Sequence, residues 1–171
     1  MGVIILIMSY HHTQIGYFII SALLVVALFF GIMLMQAGLG AVFNVIPIVI
    51  LFIMASFVSL TVSIDGEYVR IVFGYGVVRK KILLADIISA HVVTNHWYYG
   101  WGIRVWFWPY MWIFNVSGFN AVEIRLKDGR IYRIGTDEPE ELERAIIQAS
   151  KSMMHKNNDH IIKDNKKESM Q

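Results

Sequence analysis

The sequence contains no cysteine, which excludes disulfides, thiolate metal ligands and cysteine nucleophiles together. Charged residues are absent from a long stretch as well, since no Asp, Glu, Lys or Arg precedes Asp65. The net charge of +2 is too small for a protein that follows a nucleic-acid backbone, because that task needs a clustered basic face. Nucleic acid is therefore not an expected partner.

The apolar residues, 56% of the 171, are concentrated in two uncharged runs near the N-terminus. The first run is Ile15–Met35, and about 20 such residues cross a hydrocarbon core as a helix. The second is Ala41–Val62, after the short link Gln36–Gly40. Neither run has the polar stripe of a buried helix in a soluble bundle. The sequence predicts a transmembrane hairpin of two helices over residues 15–62, preceded by an interfacial strand or coil over residues 1–14.

Basic residues close to the end of the second run set the expected orientation. Arg70, Arg79, Lys80 and Lys81 follow this run, whereas the link between the two runs has no basic residue. Basic residues near helix ends favour the cytoplasmic side. We therefore expect a multi-pass protein of the cell (inner) membrane with its N-terminus and soluble domain in the cytoplasm.

Short β-strand patterns bounded by Gly and Asp follow the second run. The predicted strands are Leu60–Ile64, Tyr68–Phe73, Val77–Leu84, Ile87–Val93, Ala121–Leu126 and Arg130–Ile134. A two-residue turn at Asp128-Gly129 would direct the charge of Arg133 inward. A three-residue loop with Gly129 in the left-handed region instead pairs Val122 with Ile134 and Ile124 with Tyr132, and this register is preferred.

A helix is predicted after the last strand, with Asp137 as N-cap and Pro139 in the first turn. Its apolar face is formed by Leu142, Ile146, Ala149 and Met153. Residues 154–171 are polar, Lys-rich and free of aromatic residues, so they are predicted to form a disordered tail.

About seven antiparallel strands closed by a C-terminal helix is the element order of the pleckstrin-homology (PH) superfold. The segments that carry a resemblance are Tyr98–Arg104, Asn115–Gly118, Ala121–Arg130 and Ile134–Pro139. They resemble bacterial membrane-anchored proteins with a PH-like domain, over roughly Leu60 to Ile147. The resemblance implies a membrane hairpin joined to an α+β, mostly β PH-like barrel over residues 63–153, and it transfers no site residue.

All five tryptophans lie within residues 97–112, together with several other aromatic rings. Trp and Tyr favour the headgroup layer of a bilayer, and Gly102 and Pro109 interrupt continuous strand pairing. The rings are therefore expected to contact the membrane interface or a partner. The alternative is that they fill the core. The candidate residues are Trp97, Tyr98, Trp101, Trp106, Phe107, Trp108, Tyr110 and Trp112.

A second candidate site is an anionic-lipid contact formed by Arg70, Arg79, Lys80 and Lys81. The alternative, which the sequence favours, is a solvated strand face. A fifth basic residue, Arg104, is expected to stack on a ring or to pair with Glu123.

Neither metal nor cofactor binding is expected. The pairs His11 with His12 and His91 with His96 lack a third ligand at metal-like spacing. No ionisable residue occurs in the apolar runs, and the aspartates occupy turn or cap positions. No catalytic residue is predicted.

The sequence therefore predicts a non-enzymatic interaction module, held at the cytoplasmic membrane surface, that binds a protein partner, a second copy or lipid headgroups. The alternative is an accessory subunit of a transporter or envelope complex in which the helix hairpin is the binding element.

Overall fold

The computed structural model describes residues 10–37 and 41–168. Within them the helices are α1 (Tyr17–Ala37), α2 (Ala41–Ala55) and α3 (Pro139–Glu168). The strands are β1 (Tyr10–Ile15), β2 (Ser59–Asp65), β3 (Tyr68–Phe73), β4 (Val78–Leu83), β5 (Ile87–Thr94), β6 (Gly102–Phe107), β7 (Tyr110–Asn115), β8 (Asn120–Leu126) and β9 (Ile131–Gly135). Two single 3-10 turns lie at Leu84–Asp86 and Trp97–Tyr99.

The first sheet has the strand order β1-β2-β3-β4 and is antiparallel throughout. Strand β1 precedes the two apolar helices and β2 follows them, with Tyr10 opposite Ile64 and Ile15 opposite Ser59. The chain therefore enters and leaves the helix pair at the same edge of the sheet. Residues 10–14, predicted to be interfacial, belong to this sheet, and residues 1–9 lie outside the described part. Polar Gln14 points inward, so β1 lacks a clear alternating pattern.

The two apolar helices differ in length. Among the described residues, α1 contains the one helical segment that is long and apolar enough to cross a membrane, Tyr17–Gln36. Helix α2 has 15 residues, about 22 Å at 1.5 Å per residue. The prediction that it continues to Val62 is wrong, because β2 already begins at Ser59. From that residue the exposure alternates with period two, which is the signature of a strand.

The second sheet has the order β5-β8-β9-β7-β6, with β7 and β9 parallel and the other neighbours antiparallel. The described residues thus form nine strands, against a prediction of about seven antiparallel ones. One unpredicted pair is the β6–β7 hairpin, which the sequence treats as irregular. Pro109 does not interrupt it, because the residue lies in the turn, where no ladder hydrogen bond is required.

The predicted β8–β9 hairpin is confirmed in its register. Val122 lies opposite Ile134 and Ile124 opposite Tyr132. Gly129 has φ +83°, and its N–H donates to the carbonyl of Leu126 at 3.0 Å. The three-residue loop keeps Val122, Ile124, Tyr132 and Ile134 on the side of the main core.

The two sheets share one hydrophobic core, which α3 closes. The predicted face of α3 is confirmed: Leu142 and Ile146 are fully buried, and Ala149 and Met153 pack against the same cluster. The helix continues to Glu168, so residues 154–168, predicted to be disordered, are helical in the structure.

Asp137 is not the N-cap of α3. The first helical hydrogen bond joins the N–H of Leu142 to the carbonyl of Glu138, so Glu138 occupies that position and Pro139 begins the helix. The carboxylate of Asp137 instead contacts His12 Nε2 at 2.6 Å. This contact ties the start of α3 to β1.

Truncation of the buried face of α3 should destabilise the domain. Ile146→Ala is expected to lower the free energy of unfolding by about 2–5 kcal/mol, because it leaves a cavity in the shared core. Chemical denaturation of the full chain in detergent measures this loss. The control Lys151→Ala, at an exposed position of the same helix, is expected to change stability by less than about 0.5 kcal/mol. Equal effects of the two changes would refute this packing.

Candidate functional site

The aromatic hairpin β6–β7 has two faces with different partners. On its outer face, Met111 and Ile113 are fully buried beneath Tyr99. Trp106 packs against them and lies 4.9 Å from the Tyr99 ring and 5.6 Å from the Tyr98 ring, between centroids. Trp106 therefore packs the 3-10 turn against the sheet and contributes to the stability of the fold.

The tip of this hairpin is exposed. Phe107 and Trp108 are 79% and 90% exposed, and Tyr110 is about half exposed. Trp106 Nε1 donates a hydrogen bond to the backbone carbonyl of Trp108 at 2.9 Å, which holds the turn without covering its rings. Trp97, in the adjoining 3-10 turn, is 79% exposed. Together with Tyr98, these residues form what we call the aromatic tip: Trp97, Tyr98, Phe107, Trp108 and Tyr110.

The two remaining predicted rings lie elsewhere. Trp112 is half-buried on the inner face of β7 and packs against the core. Trp101 is half-buried and stacks on Phe18 in the first turn of α1, with ring centroids 4.4 Å apart. The eight predicted aromatic residues are therefore divided among the exposed tip, the packed faces of the sheet and the junction with the helices.

A second aromatic contact at the helix junction is absent from the sequence predictions. Tyr75, in the β3–β4 turn, stacks on Phe52 of α2 with centroids 6.3 Å apart and remains 71% exposed. The Gly74-Tyr75-Gly76 sequence predicts a turn but carries no information about which helix that turn approaches. Tyr75 therefore joins Trp101 as an aromatic residue beside the helix ends.

A groove of about 580 Å³ lies at this junction. It is lined by Phe18, Ile19 and Ala22 of α1, by Met54 and Phe57, and by the segment Gly100–Arg104. We call it the junction groove. Apolar helix side chains form one wall. The other wall is the segment Gly100–Arg104, which includes the basic side chain of Arg104.

The four predicted lipid-contact residues do not share a face. Cross-strand pairs place Arg70 beside Lys81, and Arg79 beside Val72, on the outer side of the first sheet. Lys80 alternates to the inner side, where its Nζ lies 5.3 Å from the ring centroid of Tyr132. Arg70 is paired with a carboxylate at 2.9 Å, that of Asp65. This face therefore carries less unpaired positive charge than four basic residues suggest.

A buried carboxylate organises the outer face of the second sheet. Glu123 accepts hydrogen bonds from Arg133 Nε at 2.9 Å and from Arg125 Nε at 3.0 Å. Burial raises the pKa of the Glu123 carboxyl, but the hydrogen bonds from Arg133 and Arg125 outweigh burial, and the net pKa lies below its usual value. Arg133 also lies over the ring of Tyr99.

The expected Arg104–Glu123 pair is not formed. The two residues lie in the same cross-strand row but are separated by Arg133 and Ile113. The guanidinium of Arg104 lies against Gly100, where an added Cβ would be 3.2 Å from Nη2. Arg104 therefore lies at the junction groove and not beside Glu123.

The four histidines whose side chains the structure describes, His11, His12, His91 and His96, do not converge on one another. His12 lies between two carboxylates, with Nδ1 3.1 Å from Glu138 and Nε2 2.6 Å from Asp137. His91 lies 3.7 Å from Glu143, and His96 stacks on Tyr98. Over residues 10–36 and 45–154, whose side chains the structure describes, no three His, Cys, Asp or Glu residues are grouped as a metal site.

Comparison of the chain with known family models, curated proteins and solved structures finds no match. Any function therefore has to be inferred from the geometry of the chain itself.

The Glu123 cluster should make stability depend on acidic pH. The folded-state pKa of Glu123 lies below the unfolded value of about 4.3, so its contribution is complete above that value and is lost as the pH falls through the folded pKa. Glu123→Gln is expected to lower the melting temperature at pH 7, and the difference from wild type should shrink below about pH 4. Thermal unfolding of both proteins from pH 7 to 3 measures this effect.

Glu67→Gln, which removes an exposed carboxylate, is the control and is expected to leave the pH profile unchanged. A constant difference between Glu123→Gln and wild type across the whole pH range would show that the ion pairs do not stabilise the fold.

Proposed function

We propose that this chain is a non-enzymatic, membrane-anchored PH-like interaction module. In this proposal α1 and α2 cross the cell membrane as a hairpin and hold the two-sheet domain at its cytoplasmic surface. The domain then presents the aromatic tip to a protein partner. The observation that carries the proposal is the large, uncharged and uncovered apolar surface of the two helices.

Among the described residues, the domain does not cover that apolar surface. The most apolar window of α1 has no buried residue. Large exposed side chains occur along both helices: Phe18, Leu24, Val25, Leu28, Phe29, Ile32 and Met33 on α1, and Val45, Ile46, Ile48, Val49, Phe52 and Ile53 on α2. Soluble monomers rarely expose contiguous apolar patches beyond a few hundred Å². A bilayer provides the apolar surroundings that this surface requires.

The sheet pairing supports a hairpin over a single crossing. Strand β1 leads directly into α1, and β2 follows shortly after α2, yet the two strands pair over six residues. Both ends of the helix pair must then lie on the same side of the membrane. If α1 crosses, the chain has to return, and α2 with its flanking residues 38–40 and 56–58 is the segment available.

The domain also supports the PH-like part of the proposal. Two sheets enclose a common core, and a C-terminal helix packs against it. The extra β6–β7 hairpin carries three of the five rings of the aromatic tip, namely Phe107, Trp108 and Tyr110. Three acidic residues are engaged structurally, since Asp65 pairs with Arg70, Asp128 with Arg130 and Asp137 with His12. Such use favours a binding role over catalysis.

The position of the aromatic tip favours a protein over the bilayer as its partner. Strand β6 begins at Gly102, beside the contact between Trp101 and α1. Five residues later, about 17 Å along the strand, the chain reaches Phe107. Phe107, Trp108 and Tyr110 of the tip are therefore remote along the hairpin from the helix ends, and large exposed Trp and Tyr side chains are typical anchors of protein interfaces.

Membrane topology provides the first test. The chain has no native cysteine, so Gly38→Cys, in the link outside the described residues, and Ser152→Cys, exposed on α3, give one reactive thiol each. An impermeant maleimide applied to intact cells is expected to label position 38 but not position 152. Labelling of both after permeabilisation is the control. Protection of both in intact cells would contradict a two-helix crossing, and labelling of 152 alone would contradict the cytoplasmic orientation.

A pair of tryptophans tests the aromatic tip. Trp106→Ala should lower the free energy of unfolding, because a buried Trp contributes about 3–5 kcal/mol and this half-buried ring roughly half of that. Trp108→Ala should change it by less than about 0.5 kcal/mol, because the ring is 90% exposed. Denaturation of the full chain measures both effects. A photoreactive residue at 108, and not one at the matched position 106, is then expected to cross-link a protein in native membranes.

Comparable destabilisation by Trp106→Ala and Trp108→Ala would mean that the tip is part of the packed domain. Cross-linking to lipid alone from position 108 would assign the tip to the bilayer.

A further inference from the structure

The junction groove has a position that suits an amphipathic ligand. It lies between the first turn of α1, the last turn of α2 and the beginning of β6. Its volume of about 580 Å³ lies within the range of roughly 300–1,000 Å³ typical of small-molecule sites. The groove is therefore large enough for part of a lipid and is located where the helices meet the domain.

The apolar wall of the groove continues along α1. Phe18 and Ala22 line the groove, and Val25 and Phe29 follow at helical spacing on the same face. Val25 and Phe29 are both more than half exposed. An apolar track thus runs from the groove along the outside of the helix for about 16 Å, at 1.5 Å per residue.

The polar end of the groove contains one basic residue, Arg104. Four arginines of the domain form ion pairs with carboxylates, namely Arg70, Arg125, Arg130 and Arg133. Within the part of the chain that the structure describes, no ion pair involves Arg104. Its guanidinium lies beside Gly100, and the first turn of α1 contains no acidic residue that would oppose an anion nearby. A guanidinium is well suited to phosphate because it donates in a bidentate fork.

We propose that the junction groove binds one anionic phospholipid, with the headgroup phosphate on Arg104 and an acyl chain along the track of Phe18, Ala22, Val25 and Phe29. A free phosphate would use the guanidinium and leave the apolar wall uncovered, whereas a phospholipid matches both ends of the groove. The site differs from the basic residues of the first sheet, because it combines a cation with apolar surface. This inference rests on the proposed membrane anchoring and deepens it.

The test uses the full chain in detergent micelles doped with phosphatidylglycerol, and native mass spectrometry counts the lipid retained per chain. Wild type is expected to retain one phosphatidylglycerol. Arg104→Gln should weaken binding about tenfold, which corresponds to ~1.4 kcal/mol. Ala22→Phe, which fills the groove and leaves every charge in place, should weaken it to a similar extent.

Arg144→Gln is the matched control, because Arg144 is an exposed cation on α3, outside the groove, whose Nε donates to the carbonyl of Glu140. It is expected to retain lipid as wild type does. Soluble glycerol 3-phosphate should fail to displace the lipid, since it offers the phosphate without the acyl chain. Thermal unfolding of each variant confirms that the fold is retained, and if Arg104→Gln unfolds, Ala22→Phe decides the matter.

Unchanged retention in Arg104→Gln or Ala22→Phe, or an equal loss in Arg144→Gln, would overturn the inference. Displacement of the lipid by glycerol 3-phosphate would refute the phospholipid as the ligand and would indicate that Arg104 binds a soluble anion. The labelling of positions 38 and 152 is independent of these results. If the lipid-binding test fails but positions 38 and 152 label as expected, the proposal of membrane anchoring is retained.

Discussion

The pairing of β1 with β2 around the helix hairpin is the constraint on which the rest of the structure depends. It adds β1, which precedes the apolar helices, as an edge strand of the first sheet. It also brings the two sheets and the helix ends together near Gly16. The N–H of Gly16 donates to the carbonyl of Val58 at 2.7 Å, and a Cβ there would lie 2.9 Å from the carbonyl oxygen of Val116. The helix pair and the domain are therefore one folded unit, since a truncated chain that started at β2 would lack an edge strand and its helix junction.

This constraint also separates the aromatic residues by role. Trp101 and Tyr75 contact the first turn of α1 and the last part of α2, where the domain meets the helices. Trp106 and Tyr99 cover the outer face of the second sheet, which would otherwise expose Met111. The tip remains uncovered because the two-residue turn of the β6–β7 hairpin projects beyond the last paired residues, Phe107 and Tyr110. One aromatic-rich sequence thus stabilises the fold, adjoins the helices and leaves a free surface.

Charge follows a similar logic. Glu123 is buried and is stabilised in its ionised form by two arginines, because a buried carboxylate without such partners would be costly. His12 joins β1 to the start of α3 through Asp137 and Glu138. Several charged side chains of the domain are paired in this way, whereas Arg104 at the junction groove forms no ion pair within the described part of the chain.

Local periodicity and local chemistry are sufficient to predict the apolar helix α1, the strands β2 to β5, the β8–β9 register and the buried face of α3. Three further features are visible only in the fold: β1 belongs to the sheet, α2 ends at Ala55, and Gly102–Asn115 forms a hairpin. Each depends on a partner distant in sequence, and β1 and the aromatic hairpin lack the alternation of polar and apolar residues that reveals a half-buried strand. The candidate site divides in the same way. Composition identified which residues are aromatic or basic, but which of them face solvent, core or helix follows from strand register, because one residue of shift reverses the face of every side chain.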